Sequence, residues 1–239
     1  KPTAASLLVV AALLAFGIRS PGALIGFWLG AFVVFVTLYE FWRGAVARHK
    51  TVGENFVTAL WNLAARNRRR YGGYVIHLGV VVMAFGIIAN ASYQKETQGT
   101  LARGETLTLA GYTLRFDSLA EFDTADGRNV ARAVVSVSRA GTGLGELYPR
   151  RDYYYASQQS MTIPGVRSSV EDDFYVLLVG WEPIADSGAT FKVYYNPLIN
   201  WVWTGGIIFI LGTLIAAWPD RSEERRRALV PVSIRAEIL

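Results

Sequence analysis

The chain has 239 residues, of which 52% are hydrophobic, a formal net charge of +5 and no cysteine. Without cysteine there can be no disulfides, no thiolate metal sites and no thiol catalysis. The apolar excess is gathered in long blocks, which excludes an ordinary soluble domain and points to a membrane protein.

A helix needs about 20 apolar residues to cross about 30 Å of hydrocarbon, where every backbone polar group must be satisfied internally. Four blocks fit in chain order: Ala4 to Ile18, Ala23 to Trp42, Tyr74 to Ala91 and Leu198 to Trp218, the first being the shortest. The predicted architecture is a polytopic α-helical membrane protein with four spans and an inserted extracytoplasmic all-β domain, a small barrel or sandwich. Its segments are a transmembrane hairpin (1–43), a cytoplasmic basic loop with an interfacial helix (44–71), a third span (72–91), the β domain (92–197), a fourth span (198–218) and a cytoplasmic tail (219–239). The chain opens at Lys1-Pro2 and runs almost at once into a span, which reads as a missing upstream region rather than a signal peptide.

Arg19-Ser20-Pro21-Gly22 turns the first span into the second. Between spans two and three lie Arg43, Arg48, Lys50, Arg66, Arg68, Arg69 and Arg70. Short loops this basic stay in the cytoplasm, which places 92–197 outside. That region carries ten Lys and Arg against thirteen Asp and Glu, and the tail adds Arg221, Arg225, Arg226, Arg227 and Arg235. The net charge therefore reports membrane orientation, and no nucleic-acid partner is expected. Within the basic loop, Thr51-Val52-Gly53-Glu54 fits a capping box, and Phe56, Leu60 and Leu63 recur at helical spacing. An interfacial helix follows, with Trp61 and the arginines at the headgroups.

Apolar and polar residues alternate over Thr106–Leu109, Tyr112–Phe116, Ala131–Val137, Phe174–Val179 and Phe191–Tyr195, which predicts strands. Ala110-Gly111, Asp126-Gly127 and Ala140-Gly141-Thr142-Gly143 predict the turns.

Chemistry-bearing residues are few. His49 lies in the basic loop beside Arg48 and Lys50 and reads as solvated. His77 stands about four residues into the third span, about 6 Å along its axis. An ionisable group at that depth needs a partner, a cavity or a ligand. Gly72, Gly79 and Gly86 recur every seventh residue, and Gly73 precedes His77 by four. Such small residues admit either a second helix or a flat macrocycle, so His77 reads first as a hydrogen bond across a helix interface, and a haem-iron ligand is one of several alternatives. A zinc site is a poorer fit, because nothing at ligand spacing accompanies His77. The outside domain has no histidine and hence no Ser-His-Asp triad. Its Glu171-Asp172-Asp173 run could hold a hard cation but reads better as a solvated surface. Tyr148, Arg150, Arg151, Tyr153, Tyr154 and Tyr155 form an aromatic and basic cluster, which fits either a binding surface or ordinary strand packing with a charged rim.

Arg69-Arg70-Tyr71-Gly72-Gly73 leads into Ile76-His77-Leu78-Gly79 and then Gly86-Ile87. Tyr93, then Gly104-Glu105 through Tyr112, Leu114 and Phe116, opens the β domain, and Asn196-Pro197 with Trp201, Trp203, Gly205 and Gly206 opens the last span. In this order the segments resemble the C-terminal part of the CcmF-type cytochrome c haem lyases of system I cytochrome c maturation. The resemblance implies a component of a bacterial inner-membrane enzyme that attaches haem covalently to apocytochrome c, with residues 92–197 periplasmic. It implies a b-type haem held through His77 and a second axial ligand from outside this chain; a haem there would also need a nearby cation for its propionates, which Arg70 could supply. Implied partners are apocytochrome c, a haem chaperone, other maturation components, the N-terminal portion of the lyase and membrane lipid. The family's tryptophan-rich motif and its flanking histidines are absent, which implies either a C-terminal portion or one subunit of a split lyase, inactive alone. The competing expectation is a cofactor-free membrane-anchored assembly module acting through its β domain.

Overall fold

The structure, a computed structural model, describes residues 1–181 and 188–218. The predicted cytoplasmic tail, 219–239, lies outside the described residues. The chain forms two compact units, one from residues 1–85 with the segment beginning at Trp201, the other from Gly86–Asn200.

The first unit is helical. Helix α1 (Pro2–Ala15) ends before Gly17, whose φ of 85° is left-handed, and α2 (Pro21–Val52) starts on Ser20, whose side chain accepts from Ala23 N at 3.5 Å. Proline in the first turn fits because its missing N–H would have no helical partner there. With 32 residues α2 is about 48 Å long, more than the membrane requires. The basic stretch through Lys50 is therefore helical rather than loop, since nothing breaks the helix before Gly53 takes φ 76°.

Helix α3 (Phe56–Arg66) is capped by Asn55, whose Oδ1 accepts from Thr58 N at 2.8 Å. The predicted capping box on Thr51 is thus corrected. Thr51 belongs to the last turn of α2 and donates to Ala47 O at 3.0 Å, because the left-handed glycine after it ends one helix before the next can begin. Arg48 instead clamps the corner, its Nε and Nη2 donating to the two Glu54 oxygens at 2.7 and 2.9 Å. That arginine, with Asn62 assisting, holds the Glu54 carboxyl at about 2. His49 rests against the Glu54 carbonyl.

Helices α4 (Arg68–Tyr93) and α5 (Asn200–Ala217) complete the set. Among the described residues three helices, α2, α4 and α5, are long and apolar enough to cross a membrane. With 14 residues α1 reaches only about 21 Å, so its place as a fourth span stays an expectation.

The second unit is a β-sandwich. One sheet has the order β1 (Lys95–Leu101), β10 (Ala189–Pro197), β9 (Asp172–Trp181), β8 (Gly165–Ser168). The other has β2 (Thr106–Leu109), β3 (Tyr112–Thr124), β4 (Arg128–Arg139), β6 (Arg150–Tyr154), β7 (Gln159–Ile163), with β5 (Thr142–Leu147) on the far half of β4. Adjacent strands pair antiparallel throughout. Alternate residues Leu114, Ala133, Val135 and Val137 of one sheet meet Phe174, Val176, Leu178, Phe191 and Val193 of the other, all essentially buried. The predicted turns hold. Ala110-Gly111 and Ala140-Gly141 each have φ near +50° and +80°, the two-residue hairpin geometry that suits the twist of the strands, and Gly127 has φ 81°.

Candidate functional site

The site is a face of α4, defined by what covers the other faces. Toward α5, Gly72 and Gly79 meet Gly205 and Gly212 in a backbone-to-backbone contact. A Cβ on Gly79 would lie 2.6 Å from Phe209 N and 2.8 Å from Gly205 O, and one on Gly212 would lie 2.6 Å from Ile76 N. Of the two uses a seven-residue glycine stripe allows, the second helix takes Gly72 and Gly79. Toward α2, buried Tyr71 packs on Phe41 with ring centroids 5.0 Å apart, and Phe85 packs on Phe27 at 5.5 Å.

What remains uncovered is the stripe of Gly73, His77 and Val80. A Cβ on Gly73 would meet nothing within 4 Å, His77 is exposed and Val80 is 44% exposed. Among the described residues nothing hydrogen-bonds His77, so none of them takes the histidine as polar glue between helices. The described residues contain no cluster of three or more His, Cys, Asp or Glu able to hold a metal ion. An iron bound here would have to bring most of its own ligands, as haem iron does. The open room beside Gly73 and an outward imidazole on the same face fit such a flat group.

Two helical turns toward the α4 N-terminus, on the same face as His77, Arg70 is held on two sides. Its Nε donates to the Tyr74 hydroxyl at 2.9 Å and its Nη2 to Glu40 Oε2 of α2 at 2.8 Å, while Arg43 reaches the other Glu40 oxygen at 3.6 Å. Phe41 lies edge-on to Tyr74 at 5.8 Å. Sequence reasoning missed Glu40. The signal was present, since it is the one acid in a 32-residue apolar helix, and an ionisable group there calls for a named partner.

Strand alternation divides the tyrosine and arginine cluster of the β domain. Arg151, Tyr153 and Tyr155 line a groove of about 360 Å³ with Glu121, Asn129 and Trp181. Trp181 Nε1 donates to Glu121 at 3.2 Å, and the Tyr155 hydroxyl donates to Asp123 at 2.8 Å. That bond raises the Tyr155 hydroxyl and helps Asn129 lower the Asp123 carboxyl. Arg150 and Tyr154 are on the opposite side of β6, with Asp152. Asp152 is fully buried, 2.7 Å from Arg128 Nη1 and 3.3 Å from Arg150 Nε, although the Arg150 approach lacks hydrogen-bond alignment. Tyr148 donates to Glu146 at 2.8 Å.

The acidic run is corrected at its centre. Asp172 is neither solvated nor open to a cation. It is 1% exposed and accepts from the Tyr112 hydroxyl at 2.7 Å and Arg139 at 3.3 Å, while Asp173 takes the side chain of Asn200.

Residues 92–197 match the family described as the CcmF C-terminal beta-sandwich. The β domain is therefore similar to that CcmF C-terminal family. The cytochrome c-type biogenesis protein CcmF of Pseudomonas fluorescens is 29% identical over 216 residues, 90% of this chain and 31% of that one. The probable cytochrome c-type biogenesis protein NrfE of Escherichia coli is 28% identical over 168 residues, 70% of this chain and 30% of that one. A solved structure described as the cytochrome c heme lyase CcmF shares the fold with a TM-score of 0.71 at 22% identity, over 90% of this chain and 34% of that chain. The chain is thus similar to a part of these CcmF-type proteins and spans about 30% of their length. The choice between barrel and sandwich resolves to the CcmF sandwich.

Proposed function

We propose that this chain supplies one side of a membrane haem site in a CcmF-type cytochrome c haem lyase, holding a b-type haem through His77. The second ligand comes from outside the chain. The observation that carries this reading is the uncovered His77 beside Gly73, on a membrane helix whose other faces are packed. When bound, a haem supplies one-electron exchange at its iron. The chain's own residues then have separable tasks. His77 presents an imidazole nitrogen, Gly73 leaves room for the ring face, and the Gly79–Gly205 contact fixes α4 against α5. Arg70, oriented by Glu40 and Tyr74, offers a cation to the propionates. In this reading the basic helix ends are cytoplasmic, 92–197 are periplasmic, and the protein resides in the bacterial inner membrane. There it serves apocytochrome c with a haem chaperone, other maturation components and the remaining portion of the lyase.

The test is an absorbance spectrum of the intact, assembled complex before and after reduction, with and without His77→Ala. Loss of the b-type signal together with loss of cytochrome c maturation is expected. A variant that keeps both would sink the ligand assignment. The groove of Arg151, Tyr153 and Trp181 supports a second reading, a cofactor-free docking module. Normal maturation with His77→Ala, combined with its loss on Tyr153→Ala with Trp181→Ala, would favour that reading.

A further inference from the structure

We propose that the groove beside Tyr153 and Trp181 takes a lysine or arginine side chain from an extended peptide segment, whose main chain pairs with the outer edge of β7. The inference deepens the docking reading of this groove by naming what docks, and it is independent of the haem reading.

The edge is open and unguarded. Strand β7 ends its sheet, and among the described residues no strand pairs with its outer side. Natural edge strands carry charges, prolines or bulges that discourage pairing with another chain. Gln159-Ser160-Met161-Thr162-Ile163 has no charge and no proline, pairs with β6 without a bulge, and exposes four of its five residues. The neighbouring edges are managed. A Cβ on Gly165 of β8 would lie 2.9 Å from Leu147 Cβ, so β5 packs against that strand. Val179, which the bulge in β9 leaves without a partner in β10, gives its carbonyl to Arg151 Nη1 at 3.4 Å. Strand β1 begins at Lys95 and β10 ends at Pro197, both at the opposite end of β10 from Ala189 and Trp181, so neither connection obstructs the groove.

The groove's own chemistry selects the side chain. Tyr153 and Tyr155 meet edge to face with ring centroids 5.6 Å apart, and Trp181 of the other sheet lines the same space. Aromatic faces attract a cation. Glu121 accepts from Trp181, and Asp123 accepts from Tyr155 and, at 3.0 Å, from Asn129 Nδ2. These donors are neutral, and among the described residues neither carboxylate pairs with a cation. Arg151 also lines the groove but is turned to Val179, so two acidic charges stand against one basic charge. The sequence after Trp181 adds Glu182 and Asp186, and no base before Lys192. A strand on the edge of β7 would lie about 10 Å from β6, two strand spacings away. Reaching Tyr153 across β7 takes a long side chain, and the small Ser160, directly opposite Tyr153, leaves it a path. Lysine and arginine supply both the length and the charge. Strand addition divides its work in this way, with affinity from main-chain pairing and specificity from a pocket for a side chain.

The experiment is fluorescence anisotropy of the full-length assembled protein in detergent with a labelled nonapeptide of alternating threonine and valine carrying lysine at its centre. The lysine peptide should bind at least about fivefold tighter than the same peptide with norleucine, the contribution of one cation on aromatic faces. Methylating the backbone nitrogens of its central residues should weaken binding by about tenfold or more, because the main-chain hydrogen bonds are lost. Glu121→Gln, which keeps an acceptor for Trp181, should reduce the lysine preference and leave the norleucine peptide unchanged. Tyr153→Leu should reduce the preference through the lost ring. Equal affinity for the lysine and norleucine peptides overturns the proposal, as do a methylated peptide that binds undiminished, a lysine preference that survives both substitutions, and an absence of saturable binding. Because Glu121→Gln is nearly isosteric, the test does not depend on the Tyr153 variant folding. The docking reading fails separately, on cytochrome maturation that stays normal with Tyr153→Ala and Trp181→Ala, so the two failures are distinguishable.

Discussion

Asp172 shows how a single buried carboxylate organises one end of the sandwich. Tyr112 donates to it, stacks on Phe174 with ring centroids 4.6 Å apart, and lies beneath the Arg139 guanidinium at 4.8 Å. Removing the acceptor would strand a buried hydroxyl and part of an arginine's pairing. Asp172→Ala should therefore cost about 2–3 kcal/mol, whereas Glu171→Ala, on an exposed neighbour, should stay within about 0.5 kcal/mol. Denaturant unfolding of the two full-length variants separates these outcomes. The same hub predicts alkaline sensitivity. Burial, then the hydrogen bond to Asp172, pushes the Tyr112 hydroxyl up to about 12. A group raised in the folded state stabilises below its unfolded value, about 10, and that contribution is lost as pH rises through about 12. Tyr112→Phe should remove this component of the alkaline transition, measured by unfolding between pH 9 and 12.

At the scale of elements, the α4–α5 contact is the most demanding packing in the helical unit. Hydrophobic burial does little to drive helices together in lipid, so close backbone approach over glycine carries the association. Gly79→Leu would place a side chain where backbone atoms already sit within 3 Å, so the two helices must part. A loss of at least about 1–3 kcal/mol is expected, read as a lower melting temperature in detergent, while Gly73→Ala on the open face should be tolerated. The glycine repeat in α4 was legible in the sequence. Its partner was not, because periodicity marks a face without naming what covers it. The five alternating strands were legible for the opposite reason, since each has one face in the core. Strands β1, β5, β7 and β8 were missed because they are edge or partial strands. Gln159–Ile163, for example, exposes four of its five residues, so burial imposed no alternation. Strand β6 was hidden by its charges, and the Arg128 ion pair is what satisfies Asp152 at a buried position. The capping box failed at Gly53, where a pattern that starts helices overlaps a residue that ends them.

For the whole molecule, the candidate site divides between what one residue type reveals and what only assembly reveals. His77 was legible because a histidine inside an apolar span is costly without a purpose. That its face is open, and that Arg70 is braced by a glutamate 30 positions away, required the packed helices. The tyrosine and arginine cluster was legible as composition, but alternation along β6 sends its members to opposite sides, and only half of them reach the groove. The proposed orientation of these parts follows from charge. Arginines gather at the end of α2, at the end of α3 and at the start of α4, while Gly86–Asn200 carries the acidic excess. If the positive-inside bias governs insertion, α3 and the turn at Thr142 lie on opposite sides of the membrane. The chain has no cysteine, so single substitutions report this without background. In intact cells with a permeable outer membrane, Thr142→Cys should react with an impermeant maleimide, and Thr58→Cys only after the inner membrane is breached. Both positions are exposed, so a failure to label reflects the membrane rather than burial. The reverse pattern would place the β domain in the cytoplasm and remove it from any periplasmic haem attachment, whatever His77 binds.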